Sequence, residues 1–258
     1  VSGKRFWRFF NRSDDEVELR IEGEIVDDDD TWAYEWLGIQ HVTPNAFREE
    51  LAKYKGKDLT VWIDSLGGVV WAAAGIYNAL MEHQGRVTVK IDGKVLSAAT
   101  IIAMAGDEVL MSPAAVMMVH NPWVHVAGDA DSLRHMAGVL DEIKEAIINA
   151  YEIKTGLTRD ELERLMDEET WMSARKAVEL GFADGLLYTG DKCAQATARA
   201  APVYAFSRLD VQMKADAAMR RLFDVARSLR GDDERERLAL ELELIKLKEV
   251  DGDEYVDP

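Results

Sequence analysis

LTVWIDSLGGVVWAAAGIYNALMEHQG, residues 59–85, sets two kinds of local structure end to end. LTVWIDS is a short apolar run with β-branched and aromatic residues and reads as a buried strand. Gly67 and Gly68 then break the pattern. VVWAAAGIYNALMEHQG follows with apolar residues at helical spacing and Gly85 as its stop. A strand passing through two glycines into a helix is half of a βαβ unit.

The pattern continues outward on both sides. TPNAFREELAKYKG, residues 43–56, has a Thr cap, a Pro in the first turn and a closing Gly56, so it predicts a helix. RVTVKIDG (86–93) reads as a strand and LSAATIIAMAG (96–106) as a buried helix. DEVLMSP and AAVMMVH are two short strands separated by Pro113. Upstream, VELRIEGEIV (17–26) alternates as a strand does, and DDDDTWAYEWLGIQ (27–40) reads as an exposed acidic loop. Strands alternating with helices imply an α/β fold around a mainly parallel sheet.

Residues 129–155 predict a long amphipathic helix between Gly128 and Gly156, of the kind that packs against a neighbour. LTRDELERLMDEE follows with a Thr158–Glu161 capping box, then SARKAVELG, ending at Gly181. Beyond Tyr188 the composition changes. The expected division is an N-terminal segment (1–16), a main domain (17–188), a linker of small polar residues (189–207) and a helical or partly disordered acidic tail (208–258). In the tail, Leu238, Leu242 and Ile245 share a face.

Composition narrows the function. A net charge of −17, with no basic stripe, argues against nucleic acid as a ligand. No apolar run approaches a membrane span, and the first residues lack the features of a secretory signal, so a cytoplasmic location is expected. The one cysteine, Cys193, has no partner for a disulfide or a zinc knuckle, and neither a metal nor a cofactor is expected.

Three stretches carry chemistry. In DSLGG (64–68) the glycines let backbone amides face a ligand at a strand-to-helix turn, as an oxyanion hole requires. In GKVLSAATIIAMAG (93–106), Ser97 sits where a strand passes into a helix and can present its hydroxyl while the Ala98 amide points into the same volume. A serine there can equally be a plain N-cap. In MMVHNP (117–122), His120 leaves a strand end, where parallel-sheet sites gather, though a histidine so placed is often structural.

In order along the chain, DSLGG, GIYNAL, GKVLSAA, MAGDEVLMSP, VMMVHNP, KTGL and SARKAVELGFADGLL resemble the Clp protease proteolytic subunit family, over about residues 17–188. HNPW, KTG and DEETWMSA further resemble the Clp-like proteases of tailed phages and prophages that act in head maturation. The resemblance implies a crotonase-like, Clp-protease-like βαβ superhelix, and peptide hydrolysis by a Ser-His-acid triad within a homo-oligomeric chamber. It also implies a peptide or protein substrate, such as a capsid or scaffolding protein, and leaves room for an ATPase unfoldase partner. On that likeness Ser97 is the nucleophile and His120 the base, with Gly67 and Ala98 as oxyanion donors.

Two positions depart from the family pattern. Leu66 stands where the family has proline, and the third triad member falls at Glu169, with Asp167 as the alternative. Three rivals remain on the residues alone. One is a Ser-Lys peptidase using Lys90 or Lys94, another an acyl-CoA hydratase or isomerase, and the last a catalytically silent ring or scaffold protein.

Overall fold

Val17, Leu19 and Ile21 alternate with Glu18, Arg20 and Glu22, and that alternation makes residues 16–25 a strand with one apolar face. The computed structural model describes residues 7–11, 16–28 and 41–188. Its strands are β1 (Trp7–Asn11), β2 (Glu16–Ile25), β3 (His41–Val42), β4 (Asp58–Gly68), β5 (Val87–Leu96), β6 (Glu108–Met111), β7 (Val116–Val119), β8 (Thr170–Ser173) and β9 (Gly185–Leu186). Its helices are α1 (Pro44–Leu51), α2 (Val70–Met81), α3 (Ala98–Ala103), α4 (Ala130–Thr155), α5 (Arg159–Asp167) and α6 (Ala174–Glu179). The expected linker, Cys193 and the tail lie outside the described residues, as does most of the acidic 27–40 stretch.

The sheet runs β1-β2-β4-β5-β6-β9, and every pairing along it is parallel except β1 with β2. A mainly parallel α/β sheet is therefore what the chain forms. β5 is the branch point. Its first half pairs with β6 through Thr88–Ile91, and its second half pairs with β7 through Lys94–Leu96. β7 in turn pairs antiparallel with β8. One long strand thus serves two partners, and the second partner leads to the site.

The inward rows Val17-Leu19-Ile21, Leu59-Val61-Ile63 and Val87-Val89-Ile91 are almost wholly excluded from water. They pack in one core with Phe47 of α1, Ile76 and Leu80 of α2, and Ile101 and Ile102 of α3. The outward rows are polar. Arg20, Trp62 and Lys90 lie in register across β2, β4 and β5, and both cations sit over the indole ring, 5.3 and 5.4 Å from its centroid. In LTVWIDS the apolar row is buried, and of the residues alternating with it Thr60 is buried as well while Trp62 and Asp64 are partly exposed.

Several boundaries move from their expected places, each for a local reason. β4 continues past Ser65 to Gly68 because Gly67 and Gly68 pair with Glu24 and Ile25. α2 stops at Met81 rather than at Gly85. Gly85 instead presses on Lys57, where a Cβ would stand 1.9 Å from the carbonyl oxygen. Thr43 stands at the N-cap of α1 without a side-chain cap bond.

The ends of the long helix are as the sequence predicts. Asp129 accepts from the Ser132 amide and Gly156 closes α4 in the left-handed conformation, φ +68°. The Thr158–Glu161 capping box of α5 is complete. Only the C-terminal part of α4 is buried, through Ile147, Ile148, Ala150 and Tyr151. Its first turns are exposed. Among the described residues no helix is long and apolar enough to cross a membrane.

Candidate active site

The branch in the sheet brings two distant residues together. Leu96, the last residue of β5, pairs with Met118 of β7, and the Ser97 amide donates to the Met118 carbonyl at 2.9 Å. Ser97 then leaves β5 as His120 leaves β7. Their side chains meet, with His120 Nε2 2.7 Å from Ser97 Oγ. Both residues are partly exposed.

Ser97 adopts φ 54°, ψ −130°. A side chain in that region costs of order 1–3 kcal/mol, and such strain gathers at sites where geometry is imposed. Among the described residues the non-glycine positions with positive φ are Ser97, Glu169 and Tyr188. Two of these three are expected triad members. Ser97 is the residue before α3, but its side chain makes no cap bond to that helix and points instead to His120. The reading of this serine as a plain N-cap is not what the geometry carries.

Gly67 is pressed against the same turn. A Cβ there would lie 2.6 Å from the Leu96 carbonyl oxygen, 2.8 Å from Ser97 Cβ and 3.0 Å from the Ala98 nitrogen, and its φ is +97°. Only glycine fits that approach. Gly67 and Ala98 therefore flank Ser97 together. The Ala98 amide opens α3 and has no acceptor within that helix. The Gly67 amide donates to Ser65 Oγ at 3.1 Å, so binding an oxyanion requires it to share that proton or release it.

Ser65 was not singled out in the sequence. It is fully buried, and its hydroxyl bonds to the Gly23 carbonyl as well, tying the DSLGG turn to β2. With leucine in place of a rigid proline at position 66, this pair of bonds holds the turn.

The acids sit in the turn between α5 and β8. The antiparallel β7–β8 ladder ends where Val119 pairs with Thr170, so His120 and Glu169 are the residues next to that last pair. Glu169 accepts a hydrogen bond from Trp171 Nε1 at 3.2 Å. Asp167 is engaged differently. It accepts from Lys144 Nζ at 2.6 Å and from Asn121 Nδ2 at 2.8 Å. The Lys144 ammonium, then the Asn121 amide, hold its carboxyl below the usual range. Asp167 thus serves as a clamp between α4, α5 and the residue after His120.

The two lysines considered as rival bases are turned elsewhere. Lys94 donates from both its amide and its ammonium to Asp64 Oδ1, at 3.2 and 3.0 Å. Lys90 lies over the Trp62 ring on the outer face of the sheet. Histidine, not lysine, is in contact with the hydroxyl.

Comparison with known proteins bears on the family of the chain as a whole. The family model described as Clp protease matches residues 49–189, more than half of the chain. The chain is 29% identical over 138 residues to the ATP-dependent Clp protease proteolytic subunit 1 of Chlamydia muridarum, covering 52% of this chain and 72% of that protein. It is 28% identical over 134 residues to the ATP-dependent Clp protease proteolytic subunit of Bacteroides fragilis, covering 51% of this chain and 65% of that one. The corresponding subunit of Porphyromonas gingivalis is also 28% identical over 134 residues, 60% of its length.

Proposed function

The chain belongs to the Clp protease family, and on that premise we propose that it is a serine endopeptidase with Ser97 as nucleophile and His120 as general base. The contact that carries this reading is the 2.7 Å separation of Ser97 Oγ and His120 Nε2. Nε2 takes the hydroxyl proton as Oγ attacks the peptide carbonyl, and returns it to the amine as the C–N bond breaks. Water then repeats the sequence on the acyl-enzyme. The Ala98 amide, with that of Gly67, stabilises the oxyanion. Glu169 orients the imidazole; it adjoins the Val119–Thr170 pair that ends the ladder next to His120, whereas Asp167 Oδ1 is already taken by Lys144 and Asn121, which supports Glu169 over Asp167.

The finer features follow the same premise. The subunit works in a homo-oligomeric ring, with the uncovered first half of α4 in the contacts, and acts on peptide or protein substrates in the cytoplasm. HNPW and DEETWMSA favour phage or prophage head maturation, with capsid or scaffolding protein as the target, over routine turnover fed by an ATPase unfoldase. The family match ends at residue 189, which supports a linker over 189–207 and a tail over 208–258 that catalysis does not need.

Labelling with a fluorophosphonate, followed by peptide mapping, tests the assignment. Modification at Ser97 that is lost in Ser97→Ala supports it. No modification, or modification at another serine, overturns it.

A further inference from the structure

The carbonyl of Ser97 and the amide of Ala98 belong to one planar peptide unit, so whatever fixes the C=O direction also fixes the N–H direction on the opposite side. That carbonyl is held twice. It accepts from the Thr100 amide at 2.9 Å and from the Thr100 hydroxyl. Thr100 is fully buried, and its Oγ1 lies 2.6 Å from the hydroxyl oxygen of Tyr151.

Proton counting sets the direction of this chain. A carbonyl only accepts, so the one Thr100 hydroxyl proton is spent on Ser97. Tyr151 must then be the donor to Thr100. The order is Tyr151 O–H to Thr100 O–H to Ser97 C=O. Burial pushes the Tyr151 phenol well above its ordinary value, which keeps it protonated and donating. Its ring is pinned edge-on against Phe182, with centroids 5.3 Å apart.

We propose that Thr100 and Tyr151 are positioning residues that hold the Ser97–Ala98 peptide so that the Ala98 N–H faces the oxyanion, with α4 as their support. This rests on the serine-peptidase reading above. The two residues touch no substrate; they act through the peptide. Hydrogen bonds donated to the carbonyl oxygen also polarise the unit and make its N–H a better donor, the cooperative strengthening expected of a hydrogen-bonded chain in a buried setting. The arrangement also explains why Ser97 stays in a strained conformation: its amide is bonded to Met118 and its carbonyl to Thr100, so neither end of the residue can relax.

The test uses the full chain and three variants, Thr100→Val, Thr100→Ser and Tyr151→Phe. Steady-state peptide hydrolysis is measured beside inhibition by a peptide boronate, whose tetrahedral adduct places an oxygen where the oxyanion forms. Thr100→Val is expected to lower kcat by about 10- to 100-fold with KM within about twofold, and to weaken the boronate in proportion. Thr100→Ser restores the hydroxyl and is expected to remain within about threefold of the parent. Tyr151→Phe should fall between them.

A merely structural role lowers the unfolding midpoint without this kcat-against-KM split. If Thr100→Val does not fold, Tyr151→Phe decides alone. Unchanged kcat and boronate affinity in Tyr151→Phe, with Ser97 still labelled by fluorophosphonate in the parent, overturns the positioning role and leaves the peptidase reading intact. A parent protein unlabelled at Ser97 overturns both.

Discussion

His120 Nε2 stands 2.7 Å from Ser97 Oγ across 23 positions of sequence, and the two meet because β5 and β7 are paired strands that end side by side. His120→Ala is therefore expected to lower kcat by at least about a thousandfold. Lys94→Met and Lys90→Met should stay within about threefold of the parent, since those side chains serve Asp64 and Trp62. A lysine variant that loses activity while His120→Ala keeps it would reassign the base. Steady-state rates on one peptide substrate suffice.

The two candidate acids should separate cleanly. Glu169→Gln keeps the shape of the side chain but removes the charge that steadies a developing imidazolium, and a loss of about 100- to 10,000-fold in kcat is expected. Asp167→Asn removes an exposed clamp whose side chain is 55% accessible, so an effect under about tenfold is expected. Reversed magnitudes move the role to Asp167.

Gly67→Ala places a methyl group 2.6 Å from the Leu96 carbonyl oxygen and 2.8 Å from Ser97 Cβ, at φ +97°. Destabilisation by about 1–3 kcal/mol is expected. Activity should fall further than the unfolding midpoint alone explains, because the displaced atoms belong to the nucleophile. Denaturation curves and kcat on the same preparation check this. A fully active, equally stable variant refutes the close packing.

Alkaline stability should carry the signature of Tyr151. Burial raises its pKa above the ordinary 10.0, so above that value the unfolded chain has released a proton that the folded chain keeps. The unfolded state then binds fewer protons, and stability falls as pH rises. Below about pH 10 the term is constant. Tyr151→Phe should remove this part of the decline, read as a shallower loss of the unfolding midpoint between about pH 10 and 11 than in the parent. Parallel profiles count against a buried phenol.

The uncovered apolar residues near the start of α4 bear on assembly. Leu133 is 43% and Trp123 46% exposed. Leu133→Asp is expected to shift the protein toward smaller species by light scattering at micromolar concentration. An unchanged mass places the subunit contacts elsewhere.

Periodicity and capping decide some boundaries from sequence alone, though not the end of α2 or the cap of α1. Asp129 and Gly156 bound α4, the Thr158–Glu161 box starts α5, and the strands around Pro113 are two rather than one. The order of motifs singles out Ser97 and His120, and the structure brings their side chains together. That one strand serves both β6 and β7 was not legible, because a pattern of apolar residues records which face is buried and says nothing of the partner. Glu169 in the left-handed region carries no local signal either. Tyr151 reads as one more apolar position on a helix. Its hydroxyl gains meaning only once α4 lies against Thr100, 51 residues away in sequence.

The branching of β5 also dictates when the site comes into being. β6 follows β5 closely in the chain, whereas β7 is completed on its other edge only by β8, at residues 170–173. Contacts of such wide sequence separation form late, after the local units have closed. During synthesis, a chain emerging from the ribosome carries Ser97 and His120 well before the strand that completes their wall. On the peptidase proposal, cleaving capacity is expected to arise only near the end of the domain's translation, and a prematurely terminated product that lacks β8 is expected to be inert.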